Sequence, residues 1–97
     1  MAEVFYAPRA LTDIDRLADF LLALDEAAST ETASILMEAI AHLARHPLVG
    51  RIVEHGLREL VISRGRTGYV ALYRFDAVRD FVLVLAIKHQ RALDVDG

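Results

Sequence analysis

Between residues 10 and 24 the apolar positions Leu11, Ile14, Leu17, Ala18, Leu21 and Leu24 recur at spacings of three and four, with Asp13, Asp15, Arg16 and Asp19 between them. That period lays one apolar stripe along a helix. The residues just before it, 3–6 (Glu, Val, Phe, Tyr), form a β-prone run, and Pro8 follows. Proline suits the first turn of a helix, where a missing N–H has no partner to lose, so a strand runs directly into the first helix. The early aspartates suit the positive end of the helix dipole, whereas Ala7 supplies no capping oxygen. A second helix is expected after Ser29 and Thr30, both good N-cap residues, with the stripe Ala33, Leu36, Met37, Ile40, Leu43 and Ala44. Pro47 is expected to end it by pushing the preceding residue out of the α region, with Arg45 and His46 in the last turn.

The period changes in the second half. Residues 48–56 read as a connector with two glycines, and 57–62 as extended. Residues 63–68 carry two glycines and two arginines and read as a hairpin loop with a basic tip. Residues 69–75 alternate Tyr69, Ala71, Tyr73 and Phe75 against Val70, Leu72 and Arg74, as a strand with two unlike faces does. After a polar turn at 76–80, residues 81–87 are apolar throughout and suit a central strand covered on both faces. Residues 88–97 form a polar tail. The order strand, helix, helix, strand, strand, strand predicts an α+β fold in which a helical hairpin packs on a mostly antiparallel sheet.

The length of 97 residues fits one domain, 1–97, and excludes a second. With no cysteine there is no disulfide framework and no thiolate metal site, which fits a reducing compartment. The apolar run at 81–87 is far shorter than the roughly 20 residues of a membrane-spanning helix. The N-terminus lacks the basic and apolar regions of a secretion signal, so the chain is expected to be cytoplasmic. His42 and His46, four residues apart on one helix face, have a metal-binding spacing but no third ligand nearby in sequence; they are read as solvated, and neither a metal nor a cofactor is expected. The net charge of −3 argues against non-specific nucleic-acid binding. It conceals an asymmetry: residues 1–50 hold three basic side chains against eight acidic, and 51–97 hold eight basic against six acidic. An anionic partner would prefer the second half.

Several landmarks, taken in order, resemble the ParE/RelE toxin superfamily of type II toxin–antitoxin systems, which includes plasmid stabilization proteins. They are Val4 to Leu11 with its Ala7, Pro8 and Ala10; Leu43, Pro47 and Gly50; Gly56, Leu57, Arg58, Glu59, Leu60; Gly68 through Arg74; and Ile87, Lys88, His89, Gln90, Arg91. The resemblance spans nearly the whole chain. It implies a growth-inhibiting toxin neutralised by a cognate antitoxin whose flexible C-terminal segment wraps the groove and sheet edge. An open edge and an exposed apolar groove are surfaces that a segment folding on binding can cover.

The superfamily has two branches: RelE-like members, which cut mRNA on the ribosome, and ParE-like members, which act on DNA gyrase. RNA cleavage needs groups that activate a 2′-hydroxyl, stabilise the pentacovalent phosphate and protonate the leaving oxygen. RelE-like members supply Lys and Arg on the middle strands and a Tyr or His near the C-terminus. At the matching places this chain has Glu59, Val61 and Val70, and its tail ends without tyrosine. What remains for a nuclease is His89 with Arg91 and, across the sheet, Arg58 or Arg74. The ParE-like reading is therefore favoured, with gyrase as target and no catalytic residue assigned. The alternatives are a ribosome-dependent mRNA endoribonuclease using His89, Arg91 and Arg58, a non-toxic antitoxin-binding relative, and an unrelated α+β binding module. Arg58, Tyr73, Arg74, His89, Gln90 and Arg91 are the candidate partner-binding residues. Arg58 and Glu59 are also expected in a cross-strand polar network, and Tyr69 and Tyr73 in sheet-face packing rather than base stacking.

Overall fold

A computed structural model describes residues 1–64 and 67–89. Strand β1 (Glu3–Tyr6) leads through Ala7 into helix α1 (Pro8–Leu24), which is followed by α2 (Glu26–His42). The start of α1 has proline in its first turn and no side-chain cap, as the sequence implies. Its boundary with α2 differs from expectation. Asp25, extended at φ −166° and ψ 118°, closes α1 and opens α2 in one residue, its carboxylate accepting from the Ala27 N–H at 3.0 Å. Ser29 and Thr30 lie inside α2, and the Ser29 hydroxyl donates to the Ala18 carbonyl of α1 at 3.0 Å. A short polar side chain serves an interhelical contact as well as it serves a cap, so its type alone did not mark the boundary.

Helix α2 stops at His42, before Pro47, and Leu43 tucks fully into the core. The connector contains a two-residue strand, β2 (Arg51–Ile52), and a short turn of 3-10 helix at Glu54–Gly56 before β3 (Arg58–Arg64). In that turn His55 and Gly56 take φ of 63° and 73°. Gly56 accepts this left-handed conformation at no steric cost. Strands β4 (Thr67–Asp76) and β5 (Phe81–His89) complete a sheet of order β1-β5-β4-β3-β2. Only β1 and β5 are parallel; the other pairs are antiparallel. The sheet thus has five strands where the sequence pattern revealed four, because two residues are too few to register as a period.

The helical hairpin covers one face. Tyr69, Ala71 and Tyr73 of β4, Val82, Val84 and Ile87 of β5, Ile62 of β3, and Leu36, Ile40 and Leu43 form the core beneath it. The register between β4 and β5 slips at Leu72–Tyr73: Leu72 faces Ala86 while Tyr73 faces Val84, which leaves Leu85 as an extra residue. Such a bulge reverses the alternation of side chains. It puts Val82 and Val84 but then Ile87 and His89 on the helix side, and Lys88 on the other. Beyond Tyr6 no β1 residue pairs with β5, and the Asp13 carboxylate of α1 accepts from the Ile87 N–H at 3.0 Å. That bond satisfies a backbone donor β1 is too short to reach.

One core feature carries a stability expectation. The Thr32 hydroxyl is buried between the helices and has no hydrogen-bond partner among the described residues. A buried polar group left unpaired costs ~1–3 kcal/mol, and valine has nearly the same shape. Thr32→Val is expected to raise the unfolding free energy by about 1 kcal/mol in urea denaturation; a loss of that size would show that the hydroxyl is satisfied.

Candidate functional site

Two regions bring together exposed side chains of functional character: the connector where α2 meets the sheet, and the sheet face opposite the helices. In the connector, Tyr73 is fully buried, yet its hydroxyl reaches the loop. It donates to the Pro47 carbonyl at 2.8 Å and accepts from the Gly50 N–H at 2.9 Å. Arg58 Nη1 donates to the Gly50 carbonyl at 2.8 Å and the Leu48 carbonyl at 3.2 Å. Arg51 pairs with Glu59 across β2 and β3 at 2.9 Å. Four hydrogen bonds thus pin the loop between α2 and β2 and hold Leu48 and Val49 outward, each more than half exposed, beside Phe75 in a shallow cleft.

On the face opposite the helices, the alternation of each strand presents Phe5, Phe81, Leu83, Leu72, Val61 and, nearer the centre, the buried Val70 and Ala86. Phe5 and Phe81 meet edge to face at 5.9 Å, a favourable aromatic geometry. Phe5 is 49% and Val61 48% exposed, so the strip is available for contact. Arg74 and Lys88 are exposed at its margins, and Arg74 has no ion pair or hydrogen bond with a described residue. At the sheet's edge, β2 pairs only with Arg58 and Glu59, so among the described residues no strand lies beside residues 60–64 of β3 there.

Of the residues expected to act together, the described ones, His89, Arg58 and Arg74, are not brought together. His89 pairs with Tyr69 and stacks edge-on against its ring at 5.3 Å and 89°, on the helix side of the sheet. Arg58 pairs with Tyr73, four positions along β4 from Tyr69 and one strand further across from β5. At ~3.3 Å per residue and ~4.8 Å per strand the two backbones stand on the order of 16 Å apart. With its guanidinium held by loop carbonyls, Arg58 cannot share a phosphate with His89. Arg74 belongs to the opposite face. Gln90 and Arg91 lie outside the described residues, as does the tip of the basic hairpin loop. Tyr73 is corrected from a partner contact to an internal support, because burial leaves it no surface. Glu59 does join a cross-strand network, but with Arg51; Arg58 bonds backbone instead. Tyr69 packs in the core, as expected. Burial pushes the Tyr6 phenol above its ordinary range.

The aromatic pair on the open face was not singled out from the sequence, although alternation along residues 3–6 and 81–87 contains it. The Gly50–Tyr73 contact joins residues 23 positions apart and left no local pattern.

Comparison with known proteins agrees with this architecture. The family model described as the ParE toxin of the type II toxin–antitoxin system, parDE, matches residues 4–93. Toxin RelE3 of Caulobacter vibrioides is 33% identical over 89 residues, spanning 92% of this chain and 95% of that protein. Among solved structures, a chain of the chromosomal ParDE system of P. aeruginosa superposes with a TM-score of 0.77 at 20% identity, covering 92% of this chain and 96% of that one. A chain of the RelBE2 toxin–antitoxin complex of Mycobacterium tuberculosis gives 0.63 at 26% identity, covering 92% and 98%. A chain of the E. coli RelBE complex gives 0.68 at 12% identity, covering 91% and 95%.

Proposed function

Because the chain belongs to the ParE/RelE superfamily of type II toxin–antitoxin toxins, we propose that it is a ParE-like cytoplasmic toxin that arrests growth by binding DNA gyrase and is silenced by a cognate antitoxin. The observation that carries this reading is the open sheet face. Where RNA cleavage would call for a convergent set of cations and proton-transfer groups, that face carries Phe5, Phe81, Leu83, Leu72 and Val61. An apolar strip rimmed by Arg74 and Lys88 and by Glu3, Asp76 and the Glu59–Arg51 pair suits a protein surface, since aromatic anchors and peripheral charge are what such contacts use. The separation of His89 from Arg58 and Arg74 supports a toxin that works by occupancy rather than by acid–base chemistry.

Antitoxin binding is supported by the unpaired edge of β3 at residues 60–64, to which an extended segment could add a strand. The RelE-like alternative draws support from the RelE3 relative and from the two cations on the open face. Inducing the chain in a bacterial host and pulse-labelling DNA and protein synthesis over the first minutes separates the two. DNA synthesis is expected to fail first. Translation failing first would return the reading to an mRNA endoribonuclease. His89→Ala is expected to leave toxicity largely intact, because its ring is engaged with Tyr69; complete loss of toxicity in a folded variant would count against the gyrase reading.

A further inference from the structure

We propose that His42 and His46 form a two-donor surface site for a divalent transition-metal ion, with zinc, nickel and copper as the class of ligand. The inference does not depend on which target the toxin binds. The two imidazoles stand on successive turns where α2 ends, with ring centroids 4.5 Å apart and planes tilted by 32°. The last turn is closed by the His46 N–H donating to the His42 carbonyl at 3.0 Å, which fixes the two side chains on the same side. Both residues are exposed, and neither has a hydrogen bond or ion pair with a described residue. Their nitrogens are therefore available.

Two nitrogens bound to one tetrahedral zinc at ~2.0–2.1 Å stand ~3.3 Å apart. With centroids 4.5 Å apart, the two exposed rings are close enough that rotation about their side-chain bonds can turn one nitrogen of each toward the same ion. The position is favourable for a cation because the carbonyl end of a helix carries partial negative charge. Among the described residues no group of three His, Asp or Glu converges. The remaining coordination positions therefore belong to water or to a ligand from another molecule. Binding would join the end of α2 to the turn that leads into the Pro47–Gly50 loop, so it stabilises the folded chain over the unfolded one by linkage.

The test uses the full chain purified without a polyhistidine tag, titrated calorimetrically with zinc, nickel and copper chlorides. One ion per chain is expected, copper tightest, as imidazole sites generally rank these metals, and binding weakens as the pH is lowered because ligation displaces protons. His42→Gln and His46→Gln are each expected to weaken binding at least tenfold and to abolish the zinc-dependent rise in Tm, while His55→Gln leaves both unchanged. Circular dichroism checks that the variants fold, which the exposure of both side chains favours. Binding that survives both substitutions, binding that disappears with His55, or no heat and no Tm shift at millimolar ion would overturn the proposal.

Discussion

Replacing Gly50 with alanine is expected to cost at least ~3 kcal/mol of folding free energy. A methyl group there would lie 2.7 Å from the Glu59 carbonyl oxygen, 2.7 Å from the Tyr73 hydroxyl and 2.8 Å from the Tyr73 ring. None of these can withdraw cheaply. Glu59 is paired with Arg51 in the sheet, and Tyr73 is enclosed by the core while bonding both Pro47 and Gly50. Overpacking alone costs ~1–3 kcal/mol. Here relief also requires breaking buried hydrogen bonds, each of which leaves an unpaired group at a further ~1–3 kcal/mol. Equilibrium urea denaturation measures the loss; a change under about 1 kcal/mol would mean that the loop can slide away from β3.

Tyr73→Ala is expected to be the most damaging single truncation, at about 4–5 kcal/mol, because it empties a fully buried aromatic site and removes the hydroxyl from the loop. Tyr73→Phe separates the two contributions. It keeps the ring, orphans the Gly50 N–H and the Pro47 carbonyl, and is expected to cost about 2 kcal/mol. Without the hydroxyl, one of the three close contacts around Gly50 disappears. Gly50→Ala should therefore cost less in the Tyr73→Phe background than alone, a coupling that residues in direct contact show. Strict additivity would place the source of the Gly50 effect in the two contacts that remain, the Glu59 carbonyl and the Tyr73 ring.

The layers of this fold follow from local pattern, and the site does not. Both helices were legible from the spacing of Ile14, Leu17 and Leu21 and of Leu36, Ile40 and Leu43, and three of the strands from alternation or an unbroken apolar run. The stripes were too generous at their margins: Leu11, Leu24 and Met37 are more than half exposed, because a two-layer fold covers a narrower arc of each helix than a bundle would. The Ser29–Thr30 reading failed because Asp25 was already a better cap. The polar network was half legible. Glu59 was placed on a strand beside opposite charge, but its partner Arg51 sits on a two-residue strand that no periodicity reveals, and Arg58 turned to the loop carbonyls instead. Arg58 and Arg74 were expected within reach of His89 across the sheet, but strand register, which residue types do not encode, separates them. A bulge at Leu85 decides which face His89 occupies, and a one-residue slip of that kind has no signature in an apolar run.

The ParE-like reading now stands on an apolar face and a dispersed set of polar groups, which makes the target itself the decisive observable. Purified toxin should be added to gyrase acting on relaxed plasmid and, in parallel, to ribosomes programmed with mRNA, with a cognate antitoxin restoring activity as the specificity control. Inhibited supercoiling with intact mRNA is the expected result. Site-specific mRNA cleavage on the ribosome, with supercoiling unaffected, would contradict the proposal and would send the search for catalytic groups back to His89 and the residues that follow it.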